Sequence, residues 1–249
     1  MPKRTQAALL GKDERFIGVY NFTPAQSVSI VDLEKRVFVE EIATEGCGFV
    51  IPNGKLSFTS ICANGSFLTT DLDKSGAFKS SERTDIIFDS IEDPIFEAPA
   101  IKNRTAYFLT YSGKVMPIDI SKNRISVGKT WPLATNDEET SWRPGGITNM
   151  TSDPEGYIYV LMHPEGGEGT HKNPGNEVWV YDLKNKQRKS RIAIKNWGLS
   201  VGTSGSGQNK FLLVTNTDMA IDVYGLPGGE YIRSLTSAGS TPFVVDGLQ

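Results

Sequence analysis

Hydrophobic and polar positions alternate with a period of two along most of this chain, and the alternation comes in repeated units. Each unit is an alternating strand closing on apolar–Asp–apolar, a polar turn, and a second strand. The copies are "SVSIVDLEKRVFVEEI" (27–42), "GSFLTTDLDKSGAFKSS" (65–81), "GKVMPIDISKNRISVGKTW" (113–131), "EVWVYDLKNKQRKSRIAI" (177–194) and "AIDVYGLPGGEYIRSL" (220–235). Period two places alternate side chains on opposite faces of a strand, so the units predict antiparallel hairpins with one face packed. The marker positions Asp32, Asp71, Asp119, Asp182 and Gly225 are 39, 48, 63 and 43 residues apart, averaging about 48. That is a propeller-like period, and the long interval holds two loop insertions, "TNDEETSWRPGG" and "HPEGGEGTHKNPGN".

Each copy follows another apolar run: "RFIGVY", "LSFTSI", "TAYFLTY", "YIYVLM" and "KFLLVT". A further run such as "GFVIP", "GGITNM" or "LSVGT" usually leads the unit, which predicts four strands per unit, the make-up of a propeller blade. Helical periodicity of any length is absent. The expected fold is therefore all-β, a β-propeller of four-stranded antiparallel blades, with about five blades visible. The C-terminal "STPFVVDGLQ" reads as a leading strand without the rest of its blade, of the kind that closes a ring. On the other side, "MPKRTQAALLGKDE" is weak material for the leading strand of the first unit. We therefore expect a single propeller domain over residues 1–249, incomplete on its N-terminal side.

Composition adds exclusions. With 249 residues, 38% hydrophobic and 22% charged, the chain has ordinary globular make-up. A net charge of −3 without a basic run argues against nucleic acid, and no apolar stretch approaches the ~20 residues of a membrane helix. The only apolar run near the start, Ala7–Leu10, is too short for a signal peptide, so the protein is either cytoplasmic or missing its beginning. The two cysteines, Cys47 and Cys62, end up side by side if "PNGK" turns the chain back. A bridge closing about 15 residues is worth roughly 3 kcal/mol on the chain-entropy model; two buried thiols are the equal alternative.

At this point a family resemblance is visible. "YNFTPAQSVSIVDL", "SWRPGG", "YIYVLMHPEGGEGTHKNPGNEVWVYDL" and "DVYGLPGGEYIRSL" resemble, in order along nearly the whole chain, the heavy subunit of quinoprotein amine dehydrogenases. These are the methylamine and aromatic amine dehydrogenases. The resemblance implies a seven-bladed propeller exported to the periplasm, and it favours a Cys47–Cys62 disulfide, since the family has a cysteine pair there. It implies a heterotetramer of two heavy and two light chains. The light subunit would carry tryptophan tryptophylquinone and the catalytic residues, and a small copper protein such as amicyanin or azurin would take the electrons. No cofactor is expected in this chain. The sequence departs from the family in showing five blades, in lacking a signal sequence, and in following "WRPGG" with "ITNM" rather than "WQ". The family's aromatic residue beside the substrate channel falls toward the absent N-terminal part, so no catalytic residue is carried over.

The stretch "HPEGGEGTHKNPGNEVWVYDL" holds both histidines. His163, Glu165, Glu168 and His171 are metal-ligand types, but the histidines are eight apart in a glycine-rich loop rather than four apart on a helix. No nucleophile elbow accompanies them. The stretch reads as a long inter-strand loop at or near a subunit interface, which makes His163, Thr170, His171 and Lys172 interface candidates together with Trp142 and Arg143 of "SWRPGG". Arg143 suits an anionic ligand, yet local pairing beside a Pro-Gly-Gly turn explains it as well. "GTSGSGQNK" fits no phosphate motif and reads as a turn, and "NDEET" as a solvated loop. The sequons at Asn21, Asn64, Asn103 and Asn149 matter only in a eukaryotic secreted protein, and Trp131, Trp142, Trp179 and Trp197 read as packing residues.

Two functions are thus expected to compete. In the first, the chain is a non-catalytic heavy subunit of a periplasmic amine dehydrogenase oxidising primary amines to aldehyde and ammonia. In the second, it is a propeller scaffold unrelated to amine oxidation.

Overall fold

The computed structural model describes residues 4–121, 125–136 and 139–245. The chain divides into two compact units, one of Met1–Glu97, Asn103–Ala106 and Pro117–Lys129, the other of Ala98–Lys102, Tyr107–Met116 and Thr130–Gln249.

The first unit holds two antiparallel four-stranded sheets with sequential strand order: β1 (Ala7–Leu10), β2 (Phe16–Asn21), β3 (Ser27–Asp32) and β4 (Val37–Ala43), then β5 (Cys47–Pro52), β6 (Ser57–Cys62), β7 (Phe67–Leu72) and β8 (Phe78–Arg83). Leu10, Phe16, Val28, Ile30, Ile42, Val50, Phe58 and Leu72 form the core between them. The first sheet does have its leading strand. Ala7–Leu10 pairs antiparallel with β2 in register from Ala7↔Val19 to Leu10↔Phe16. Ala8 and Leu10 turn inward and Leu10 is fully buried, so this four-residue run suffices for a blade strand.

The third sheet comprises β9 (Ala100–Lys102), β10 (Thr105–Leu109) and β11 (Lys114–Asp119), with its outer strand split into β12 (Ser126–Val127) and β13 (Trp131–Pro132), both paired to β11. The division between the units passes through this sheet.

The second unit ends in a sheet that is two blades joined by one strand. β14 (Arg143–Pro144), β15 (Met150–Ser152), β16 (Tyr157–His163) and β17 (Gly175–Asp182) lead into β18 (Gln187–Ser204), followed by β19 (Lys210–Asn216), β20 (Ile221–Leu226) and β21 (Tyr231–Leu235). The first half of β18 pairs with β17 as the outer strand of the fourth blade, and its second half pairs with β19 as the inner strand of the fifth. Inner strands of these two blades meet in parallel: Ile147 N–H donates to the Leu199 carbonyl (2.7 Å) and Val201 N–H to that of Thr148 (2.9 Å). Tyr159, Leu161, Val178, Val180, Ile192, Val201, Leu212 and Tyr224 fill the core of this pair.

The recurrent Asp has a local cause. Its carboxylate accepts backbone N–H groups two or three residues on and so starts the turn to the outer strand: Asp32 from Lys35 (3.0 Å), Asp119 from Ser121 (2.8 Å) and Asp182 from Lys184 (2.8 Å). In the second blade Asp73 does this instead of Asp71, accepting from Ser75 (2.8 Å) and Ala77 (3.1 Å). In the fifth blade Gly225 stands in the Asp's place, and the Glu230 carboxylate occupies the space a side chain would take, 2.0 Å from a Cβ at that position.

Two expectations are corrected. Among its described residues, 240–245, the C-terminal segment forms no strand; residues 246–249 lie outside the described residues. It is held instead through the Phe243 carbonyl, which accepts from the hydroxyls of Ser200 (2.6 Å) and Thr215 (3.3 Å). In "NDEET", Asn136 and Thr140 are exposed as expected of a solvated loop, but Glu139 is not. Glu139 is buried (4% exposed) because Arg188 and Arg191 bond its carboxylate at 2.7 and 3.2 Å.

Candidate functional site

The second unit gathers the interface candidates at one kind of strand end, where the second strand of a blade turns into the third and the fourth passes to the next blade. "WRPGG" is dictated by steric fit there. Pro144 is buried opposite Met162, and a Cβ on Gly145 would lie 2.4 Å from the Asn173 carbonyl and 2.6 Å from the His163 ring. Gly146 has φ +98° and sits where a Cβ would meet the Leu199 carbonyl at 2.5 Å. Arg143 pairs locally, donating through Nη1 to the carbonyls of Thr140 (2.7 Å) and Trp142 (2.9 Å). Its side chain also fills the space beside Gly166.

Trp142 packs at a tilt of 36° against the fully buried Trp179, ring centroids 5.3 Å apart. Arg188 lies over the Trp179 ring (4.5 Å), and Arg191 lies over both indoles while holding the Glu177 carboxylate through two bonds of 2.6 and 2.9 Å. Hydrogen bonding from Arg188 keeps the Glu139 carboxyl below the usual range despite burial.

The Thr-His-Lys loop is a single tight turn, Thr170–Lys172, entered through Gly169 at φ +77°. The Thr170 hydroxyl accepts from the Gly167 N–H (2.9 Å) and donates to the Gly167 carbonyl (2.8 Å). His171 stacks on Tyr111, while Lys172 is exposed. His163 ends β16, buried, with Nδ1 2.9 Å from the Pro164 carbonyl and no partner for Nε2 among the described residues. The two histidines therefore do different things. Among the described residues no group of three or more His, Cys, Asp and Glu is placed to hold a metal ion.

Beside His163 is a cavity of about 450 Å³ lined by Pro164, Glu165, Asn173, Pro174, Trp197 and Thr217. Sequence reasoning took Trp197 as a packing residue, yet it is 46% exposed. The signal it missed is that Trp197 falls where β18 changes partner from β17 to β19, leaving the residue on neither blade's packed face. The first unit has a cavity of about 520 Å³ at the same kind of strand end, lined by Tyr20, Phe22, Phe49, Ile61, Phe88 and Ile95 among others. The Cys47–Cys62 disulfide forms part of its wall; the two residues are cross-strand partners in β5 and β6. Arg83 donates to the Cys47 sulfur at 2.9 Å.

The family profile described as methylamine dehydrogenase heavy chain (MADH) matches residues 3–248. The methylamine dehydrogenase heavy chain of Methylorubrum extorquens is 26% identical over 91% of this chain and 55% of its own. That of Methylophilus methylotrophus is 23% identical over 96% of this chain and 60% of its own. The chain thus spans somewhat more than half the length of these curated relatives. Among solved structures, BamB from Moraxella catarrhalis is similar with a TM-score of 0.51 at 11% identity, over 91% of this chain and 63% of that one. The dihydro-heme d1 dehydrogenase NirN, in complex with DHE, gives 0.59 at 12% identity, over 93% and 48%. Both are propeller-like, which agrees with the blades seen here and speaks to fold alone. The five blades, the Pro-Gly-Gly turn and the disulfide sit inside the matched span, and the chain belongs to the methylamine dehydrogenase heavy chain family.

Proposed function

We infer that this chain serves as the non-catalytic heavy subunit of an amine dehydrogenase that converts primary amines to aldehyde and ammonia. The observation that carries the reading is the family match over residues 3–248. In it, the chain holds a light subunit that bears tryptophan tryptophylquinone and the reacting groups, in a heterotetramer of two heavy and two light chains. Electrons leave to a small copper protein such as amicyanin or azurin. The buried Cys47–Cys62 disulfide supports a periplasmic setting, because such bridges persist in oxidising compartments.

The chain's own contribution is mechanical. Loops on rigid blades position partner-contacting groups; Trp142, Thr170, His171 and Lys172 lie on such loops in the second unit, with Arg143 and His163 at the strand ends beside them. The Trp–Arg–Glu ladder beneath Trp142 fixes that loop from below. The test is co-expression of this chain with a light subunit, followed by size-exclusion chromatography. Co-elution as a stoichiometric complex supports the reading. A chain that elutes alone returns it to a propeller scaffold with another partner.

A further inference from the structure

The cavity beside His163 is chemically one-sided. A carbonyl oxygen only accepts, so the Nδ1 facing Pro164 O carries a proton, and in the neutral ring Nε2 is the acceptor of the pair. That acceptor is buried and lacks a donor among the described residues. Glu165 brings a carboxylate to the lining, which contains neither lysine nor arginine. Next in sequence to the lining residues Trp197 and Thr217, Asn196 (3.0 Å) and Asn216 (2.9 Å) are spoken for, donating with Ser234 (2.5 Å) to the fully buried Asp222 carboxylate. The nearby Lys195 ammonium is placed over the Tyr231 ring, 4.4 Å from its centroid.

A half-exposed indole, a rim carboxylate and an unmet acceptor, with no lysine or arginine in the lining, together favour a guest that is cationic and rich in N–H donors. The volume suits an aliphatic stem with a charged head, and Pro164 and Pro174 stiffen the walls. We propose that this cavity seats a lysine or arginine side chain of the light subunit. The inference rests on the heavy-subunit reading, and it assigns Trp197, Glu165 and His163 as the residues that recognise that cation.

The test uses the full chain and a co-expressed light subunit, with affinity measured for wild type, Glu165→Gln and Trp197→Leu. Both positions are exposed enough for the variants to fold, which their melting curves check. Each variant is expected to weaken the complex by about five- to tenfold, with the Glu165→Gln loss shrinking at high salt. n-Butylammonium and n-propylguanidinium at millimolar concentration should compete for the wild-type complex, and the stronger of the two names lysine or arginine. Tetramethylammonium, which lacks N–H donors, and n-butanol, which lacks charge, should not compete. Undiminished affinity in both folded variants, or equal competition by the controls, overturns this inference alone. Failure of the wild-type chain to bind a light subunit overturns the proposed function and this partner with it.

Discussion

His171 stacks on Tyr111 with ring centroids 4.3 Å apart and planes only 19° from parallel. The contact ties the Thr-His-Lys turn, between β16 and β17, to the turn that follows β10. Both rings are half-buried, and burial raises the Tyr111 hydroxyl above its ordinary pKa. An aromatic pair of this kind is worth about 1 kcal/mol. His171→Ala should therefore shift the melting temperature by only a few degrees while weakening the light-subunit complex several-fold. A variant that melts and binds as the wild type does would remove this loop from the interface.

Glu139 makes the fourth blade acid-sensitive. Its pKa is depressed by hydrogen bonding from Arg188 and by the charges of Arg188 and Arg191. A depressed carboxyl contributes stability in full above the ordinary carboxylate range, near pH 4.3, and loses it as pH falls through the lowered value. Asp32, held at about 2 by Arg15, acts in the same sense over the window from about pH 4 down to about 2. Glu139→Gln should cost about 2 kcal/mol at neutral pH and flatten stability against pH between 5 and 3. Urea unfolding across that range measures both.

Lys210 anchors the turn between β15 and β16. Its ammonium contacts Asp153 and lies 3.2 Å from Glu155, with Tyr159 also donating to Asp153 at 2.7 Å. Burial lowers the lysine pKa, but hydrogen bonds and charge from both carboxylates more than reverse this, so it stays charged. Lys210→Met leaves Asp153 buried without its cation and should destabilise by about 3 kcal/mol, read from the urea midpoint.

The disulfide spans 15 residues, and on the chain-entropy model its loss costs about 3 kcal/mol. A Cys47→Ala, Cys62→Ala chain should show that loss in urea with or without dithiothreitol, and the wild type should approach it only when reduced. Equal stability of both chains would make the bridge dispensable.

How much of this was legible in the sequence depends on the range of the interaction. Strand content and blade order were, because the two-residue period and the Asp turns are local; Asp32, Asp119 and Asp182 each bond within three residues. The Cys47–Cys62 pairing needed the family resemblance, since a cross-strand register is not written in either strand alone. Glu139 looked solvated because its partners are 49 and 52 residues away. Trp197 looked like packing because nothing local shows that one strand serves two blades. "MPKRTQAALLGKDE" read as weak material for a leading strand, although a blade strand needs only a buried face, which Leu10 supplies.

The most direct test of the account is to purify this chain by a tag from cells making the light subunit and record the visible spectrum of the complex as methylamine, then an aromatic amine, is added. The account predicts a co-purifying small subunit whose quinone absorbance bleaches on amine addition, with the faster amine naming the substrate. A colourless preparation, or a chromophore that no primary amine reduces, would contradict it.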